Sequence, residues 1–97
     1  MKYGFSEDAI ADLDEICDYL GRYSVKAASK LFDQIRQRAK LVSSFPDAGK
    51  SYEDLIPGLR GFVVDNYIVF YIRAGAGIEI LRVINGYRDL RSVFELD

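Results

Sequence analysis

The stretch that decides the fold runs from Gly58 to Leu90 and reads GLRGFVVDNYIVFYIRAGAGIEILRVINGYRDL. The turn signal Asp65-Asn66 separates two apolar runs of β type, and a second turn, 74–77, leads into a third run that ends at Ile84. The middle run, 67–72, is apolar throughout, which favours a central strand covered on both faces. The pattern predicts three consecutive strands joined by tight turns.

Two segments upstream have helical periodicity. The first is capped by Ser6 and stopped by Gly21, and its apolar arc consists of Ala9, Ile10, Leu13, Ile16, Cys17 and Leu20. The second is capped by Ser24 and should end by Phe45, because Pro46 disfavours helical geometry at the residue before it. Its apolar stripe consists of Ala28, Leu31, Phe32, Ile35, Ala39 and Val42. A loop of about three residues makes the pair an antiparallel hairpin.

These elements predict an α+β fold in a single domain, residues 1–97. Lys2 to Phe5 can form a short first strand, and the strands that follow the helical hairpin can cover its two apolar stripes. The segment 47–50 is loop, and the chain finishes in a short amphipathic helix or tail from Asp89 to Leu96.

Composition and charge exclude several classes of protein. The 97 residues are 49% hydrophobic and carry a net charge of −2, and no apolar run is long enough to span a bilayer, so we expect no membrane partner. Residues 1–20 hold six acids and one base, and the six carboxylates are predicted to form a solvated helix face, with a basic partner surface as the alternative. The pI of about 5.1 argues against general nucleic-acid binding. The single cysteine, Cys17, fits a reducing cytoplasm and is predicted to be a buried core thiol.

The chain has no histidine, which removes histidine-based catalysis and histidine metal sites. We therefore expect no catalytic residue, no metal and no cofactor. The arginines are the better candidates for functional residues. By strand alternation, Arg60 and Arg82 share one face of the sheet, and Arg82 points the same way as Ile80 and Ile84. These arginines could bind a target, or they could have a structural role. In the structural alternative, Arg82 pairs with Asp65 or Glu79, and Arg88 pairs with Asp89 or a C-terminal carbonyl.

The order of elements and the local sequences resemble the RelE/ParE superfamily of bacterial type II toxins, and its ParE branch in particular. The resemblance covers nearly the whole chain, and the segments that carry it are FSEDAIADLDEICDYL, AASKLFDQI, LVSSFPDAGKSYEDLIPGLRGF and YIVFYIRAGAGIEILRVINGYRDL. It implies a two-helix hairpin packed on one face of a small, mainly antiparallel sheet whose other face is partly open, with a C-terminal tail. It also implies a toxin that a cognate antitoxin wraps and neutralises. ParE-like members inhibit DNA gyrase, and RelE-like members cut mRNA in the ribosomal A site.

The residues that distinguish these branches favour the gyrase inhibitor. Where RelE-like ribonucleases place a basic residue after the tyrosine of the central strand, Tyr67 is followed here by Ile68. The C-terminal neighbourhood 91–94 offers Phe94, which has no hydroxyl for proton transfer, and the loop 51–54 is acidic rather than rich in lysine. The alternatives are a ribosome-dependent endoribonuclease and an inactive domain that only binds antitoxin.

The predicted target-binding residues surround the exit of the last strand. An exposed arginine beside an aromatic ring is typical of protein interfaces, and an arginine also binds phosphates of gyrase-bound DNA. The set consists of Arg60, Arg82, Tyr87, Arg88, Asp89, Arg91 and Phe94. The expected partners are the antitoxin, DNA gyrase and the DNA that gyrase holds.

Overall fold

A computed structural model describes residues 2–94. The elements, in chain order, are β1 (Tyr3–Phe5), α1 (Glu7–Gly21), α2 (Val25–Ser44), a 3-10 turn (Pro46–Ala48), β2 (Lys50–Ser51), β3 (Arg60–Val64), β4 (Tyr67–Ala74), β5 (Gly77–Asn85) and α3 (Leu90–Val93). The predicted α+β class is confirmed. The last part of the predicted C-terminal element, 95–96, lies outside the described residues.

The two helices begin where their capping residues predict. The Ser6 hydroxyl accepts a hydrogen bond from the Ala9 amide at 3.1 Å and donates one to the Leu81 carbonyl at 2.9 Å, so it also ties α1 to β5. The Ser24 hydroxyl caps α2 in the same way, accepting from the Ala27 amide at 3.1 Å. The α2 helix ends at Ser44, directly before Phe45.

The five strands form one sheet in the order β1-β5-β4-β3-β2. The β1 strand pairs with β5 in parallel and the other pairs are antiparallel, so the prediction of a mainly antiparallel sheet is confirmed. The predicted central strand is β4, which has strands on both sides. A Cβ atom at Gly77 would collide with the backbone of Lys2, so only glycine lets β1 lie against β5 there.

A β-bulge in β5 overturns the predicted alternation. Tyr71 lies opposite Ile80 while its neighbour Phe70 lies opposite Arg82, so one extra residue of β5 is inserted at that point. Ile80 therefore belongs to the core beneath the helices, and Ile84 belongs to the opposite face. The prediction that Ile80, Arg82 and Ile84 share a face is wrong, because a bulge shifts the side-chain period by one residue.

Each face of the sheet has its own apolar cluster. The helix-side core joins residues of α1 and α2 to one face of the sheet, with Ile35, Val69 and Ile80 fully buried. A second cluster on the other face is built on Phe70 and Ile84 and is covered by the loop 52–59 and by α3. The face of the sheet that is predicted to be partly open is therefore largely covered, and the covering segments are the loop 52–59 and α3.

The segment predicted as loop, 47–50, contains a 3-10 turn and reaches into β2. Its shape is fixed by the Tyr71 hydroxyl, which accepts a hydrogen bond from the Gly49 amide at 3.0 Å and donates one to the Pro46 carbonyl at 2.6 Å. The Tyr71 side chain is buried, and this burial raises the pKa of its hydroxyl.

Candidate target-binding site

The exit of β5 is a polar turn fastened to the neighbouring hairpin. The Asn85 side chain accepts a hydrogen bond from the Tyr87 amide at 2.9 Å, and the Asn85 carbonyl accepts one from the Arg88 amide at 3.1 Å. The Gly86 amide donates to the Asn66 carbonyl at 2.7 Å, across to the turn between β3 and β4. These bonds fix the backbone and leave the Tyr87 side chain 86% exposed.

The Asp89 carboxylate has a structural role in this site. One carboxylate oxygen accepts from the Arg91 amide at 3.2 Å and the other from the Ser92 hydroxyl at 3.0 Å, so Asp89 is the N-cap of α3. The hypothesised pairing of Asp89 with Arg88 does not form, because both oxygens serve the helix. Within residues 2–94, no salt bridge holds the Arg88 guanidinium.

Phe94 anchors the end of α3 to the second cluster. Its ring packs edge-on against Phe70, with ring centroids 5.1 Å apart and an angle of 88° between the planes. Phe94 is half-buried, whereas Arg91 is exposed. The contact therefore holds α3 on the sheet. Arg91 is exposed on this helix and follows Tyr87 and Arg88 closely in the sequence.

Arg88 lines a cleft of about 340 Å³ between α1 and the exit of β5. The opposite wall comes from α1, with Glu15 and Tyr19, and the floor includes Tyr67 at the start of β4. Burial is the main cause that raises the pKa of the Tyr67 hydroxyl above its ordinary value, which itself lies well above neutral pH, so the hydroxyl keeps its proton at neutral pH. The cleft thus combines the Arg88 guanidinium with a carboxylate and aromatic rings.

Arg82 is held in an ion pair with α1. Its Nε donates to Asp12 Oδ2 at 2.8 Å and its Nη2 to Asp12 Oδ1 at 3.1 Å, a bidentate arrangement. Asp12 Oδ2 also accepts from the Val83 amide at 2.9 Å. The hydrogen bond to Asp12 is the main cause that raises the pKa of Arg82. The hypothesised partners Asp65 and Glu79 are wrong, because β1 covers β5 only as far as Ile80 and α1 reaches the exposed edge beyond it.

Arg60 is held at the other side of the sheet. Its Nη1 donates to the Gly49 carbonyl at 2.7 Å and to the Asp47 carbonyl at 3.2 Å, and its Nε lies 3.7 Å from Asp47 Oδ1. Arg60 faces Tyr71 in the sheet register and Arg82 faces Phe70, and these two aromatic residues belong to opposite clusters. The prediction that Arg60 and Arg82 share a face is therefore wrong.

The predicted residues thus divide into two groups. Tyr87, Arg88 and Arg91 are exposed around the exit of β5, whereas the other members of the set hold structure: Arg60, Arg82, Asp89 and Phe94. Sequence reasoning missed Asp12, which it placed on the solvated acidic face although its side chain is only 15% exposed. A signal was present: at about 100° per residue, Asp12 lies ~60° from Ala9, at the flank of the apolar arc rather than opposite it.

Cys17 is only partly buried, so the prediction of a buried core thiol is wrong. Burial, together with the carboxylates of Asp14 and Asp18, raises the pKa of the thiol. A thiol whose pKa is raised carries less thiolate and is a poorer nucleophile at neutral pH.

Comparison with known proteins places the chain in a family. The sequence profile of the family described as ParE toxin of type II toxin-antitoxin system, parDE, matches residues 3–90. The chain belongs to the ParE toxin family. This confirms the resemblance to the RelE/ParE superfamily and its ParE branch.

Two relatives and one solved structure are similar to most of the chain. Toxin ParE3 of Caulobacter vibrioides is 36% identical over 80 residues, which cover 81% of this chain and 80% of the relative. Toxin RelE2 of the same organism is 29% identical over 80 residues, covering 82% of this chain and 89% of the relative. A chain from the structure of a chromosomal ParDE TA system from P. aeruginosa superimposes with a TM-score of 0.70 at 25% identity, covering 88% of this chain and 95% of that one.

Among the described residues of this ParE-family chain, no helix is both long enough and apolar enough to cross a membrane.

Proposed function

We propose that this ParE-family toxin inhibits DNA gyrase in the cytoplasm, that a cognate antitoxin neutralises it, and that its target contacts the exit of β5. The observation that supports this site most directly is the exposed pair Tyr87–Arg88 on a backbone fixed by three hydrogen bonds. Tyrosine and arginine are the residue types that dominate binding energy at protein interfaces. A rigid turn also loses little conformational freedom on binding.

Arg91 extends the same surface by one helical segment. It is exposed on α3, and the cap at Asp89 and the Phe94–Phe70 contact hold that helix in place. Two guanidinium groups on neighbouring segments suit either a carboxylate-bearing surface of gyrase or the phosphates of the DNA that gyrase holds, because each guanidinium forms strong charge-assisted hydrogen bonds.

The alternative function, mRNA cleavage in the ribosome, is favoured by the relative named Toxin RelE2. Cleavage at a 2′-hydroxyl needs a general base close to the reacting proton. In the Arg88 cleft, Tyr67 is protonated at neutral pH like any tyrosine, burial raises its pKa further, and Asp12 already accepts from Arg82 and the Val83 amide. The remaining carboxylate of the cleft, Glu15, is exposed to solvent. This chemistry favours binding over strand cleavage.

Exposed apolar side chains support the proposal that the chain binds an antitoxin. Several large apolar side chains are exposed on α1, on and just after α2, and on β3: Ile10, Val25, Leu41, Phe45 and Val63. An antitoxin segment that covered some of them would remove apolar area from water, which favours binding. An inactive domain that only binds antitoxin would share this surface, so toxicity on induction separates it from an active toxin.

The test is Arg88→Ala, matched with Arg73→Ala, another exposed arginine that lies on β4 away from the exit of β5. We expect Arg88→Ala to raise the concentration needed to inhibit gyrase supercoiling by at least about tenfold, the effect of losing one charge-assisted interface contact. Arg73→Ala should inhibit like the wild type. Both variants should keep the wild-type Tm, because neither side chain is buried.

A parallel incubation with translating ribosomes decides between the two functions. Intact mRNA together with inhibited supercoiling supports gyrase as the target. Codon-specific cuts in mRNA, with supercoiling unaffected, would refute it. A folded Arg88→Ala protein that inhibits gyrase as well as the wild type would move the site away from the exit of β5.

A further inference from the structure

The turn that follows β5 is held by its backbone and by one side chain. The Gly86 amide donates to the Asn66 carbonyl at 2.7 Å, and this bond joins two backbone groups. The Arg88 amide donates to the Asn85 carbonyl at 3.1 Å, which is again a bond within the backbone. The Tyr87 amide instead donates to the side-chain oxygen Asn85 Oδ1 at 2.9 Å. Of these three bonds, the bond at Tyr87 is therefore the one that depends on the identity of a side chain.

Asn85 can make this bond because of its position at the end of the sheet. It is the last residue of β5, and it lies opposite Tyr67 of β4 in the strand register. Asn85 is half-buried and lines the same cleft as Arg88. An asparagine side chain can accept a hydrogen bond from the backbone amide two residues further on, in an Asx turn. The order of the sheet is thus continued into the turn by a side chain.

The direction of the Tyr87 and Arg88 side chains depends on this turn. Tyr87 is 86% exposed, so few contacts of its own hold the ring, and Arg88 is exposed as well. Where packing does not hold a side chain, the backbone that carries it determines the space that it can reach. Each side chain or loop that becomes ordered only on binding lowers the affinity. A turn that is already ordered therefore favours binding by both residues.

We propose that Asn85 is a positioning residue of the target-binding site: its bond to the Tyr87 amide holds Tyr87 and Arg88 in the arrangement that the target binds, and Asn85 itself does not touch the target. This inference rests on the proposed function, because it names a residue through which the proposed surface acts. The role requires an oxygen that accepts from the Tyr87 amide, so another residue with such an oxygen can replace asparagine in part. It also requires that the loss of Asn85 matters less once Arg88 is gone.

The test compares variants of Asn85 with a matched asparagine in the neighbouring turn. Asn85→Ala removes the acceptor. Asn85→Ser supplies a hydroxyl that forms the same kind of turn more weakly and adds no charge beside Arg88. The control is Asn66→Ala, because Asn66 is exposed and its carbonyl, which accepts from Gly86, is retained in alanine. Asn85→Ala is also combined with Arg88→Ala, so that the two losses can be compared with their sum.

We expect Asn85→Ala to raise the concentration needed to inhibit gyrase supercoiling by at least about fivefold, because two exposed side chains must then be ordered on binding. Asn85→Ser should recover part of this loss, and Asn66→Ala should stay within about twofold of the wild type. In the Arg88→Ala background, Asn85→Ala should cost less than about twofold more. Hydrogen exchange at the Tyr87 amide should become faster in Asn85→Ala. The Tm should fall by no more than a few degrees, because the lost bond is at the surface, where water can replace it.

Each other result overturns the inference in a distinguishable way. If Asn85→Ala inhibits gyrase like the wild type while Arg88→Ala does not, the site works without Asn85 and the proposed function stands. If the losses from Asn85→Ala and Arg88→Ala add in full, Asn85 acts independently of Arg88 and is not its positioning residue. If Asn85→Ser restores slow exchange at the Tyr87 amide but not inhibition, the hydrogen bond is not what the target requires. If the wild-type protein does not inhibit gyrase, the proposed function fails and the inference fails with it.

Discussion

The ion pair between Asp12 and Arg82 makes a quantitative prediction. Asp12→Ala removes two charge-assisted hydrogen bonds to Arg82 and the acceptor of the Val83 amide. Breaking one side of a fully buried pair costs about 3–5 kcal/mol, because the remaining charge is left unpaired. The side chains here are 25% and 15% exposed, so water compensates part of the loss and we expect about 2–3 kcal/mol.

For a domain of this size, that loss lowers the Tm by about 10–20 °C. The assay is urea unfolding followed by circular dichroism, with Asp14→Ala as the control, because Asp14 is an exposed acid on the same helix. The control should change the free energy of unfolding by less than about 0.5 kcal/mol. The double variant Asp12→Ala/Arg82→Met should recover part of the loss, since it leaves no unpaired guanidinium. If Asp12→Ala is no less stable than Asp14→Ala, the ion pair does not fasten α1 to β5 and the reasoning is refuted.

Three further predictions concern packing and pH. Gly49→Ala should destabilise the fold by about 1–3 kcal/mol in urea unfolding, because the new Cβ meets the Tyr71 ring, whereas Gly4→Ala meets nothing and should be near neutral. Burial raises the pKa of the Tyr71 hydroxyl above its ordinary value near 10, so this hydroxyl ionises at lower pH in the unfolded chain than in the folded one. The free energy of unfolding should therefore keep its full value below about pH 10 and fall as pH rises through the folded-state pKa of Tyr71. The fall should be shallower in Tyr71→Phe. Phe94→Ala should lower the Tm by several degrees through the lost contact with Phe70, and an unchanged Tm would show that α3 is not anchored there.

The anchoring of α3 also changes how the C-terminal segment should be probed. A truncation after Leu90 removes Phe94 together with Arg91, so a loss of toxicity would mix weaker packing on Phe70 with a lost contact to the target. The substitution Arg91→Ala separates the two, because Arg91 is exposed and leaves the ring contact in place. The two effects can be separated because Arg91 is exposed on α3, whereas Phe94, at the end of this helix, packs on Phe70.

Local signals predicted the helices and most of the strands. Ser6, Ser24 and Phe45 mark the ends of α1 and α2, because capping depends only on neighbouring residues. The apolar run of β4 reports its central position, because burial on both faces removes the alternation. The relation of the hairpin to the sheet came from the family resemblance rather than from any single motif.

The errors arise where a distant segment decides the outcome. The bulge at Leu81 reversed the alternation between Ile80 and Ile84, and no local residue type indicates an inserted residue in a strand. The pairing of Asp12 with Arg82 depends on where α1 crosses β5, some 70 residues away in sequence. The two-residue strand β2 is too short to have a period, and it forms because Tyr71 and Arg60 hold the segment 46–49 in place.

The parallel pair formed by β1 and β5 has a consequence for folding kinetics. Tyr3 pairs with Ile78 and Phe5 with Ile80, so the first strand of the sheet closes against residues that are made about 75 positions later in the chain. Closing so long a loop costs conformational entropy before any contact compensates for it, and contacts of this sequence separation slow folding. The α1–α2 hairpin is local and can form early. The exit of β5, directly after the closing strand, takes its final shape only once almost the whole domain has left the ribosome.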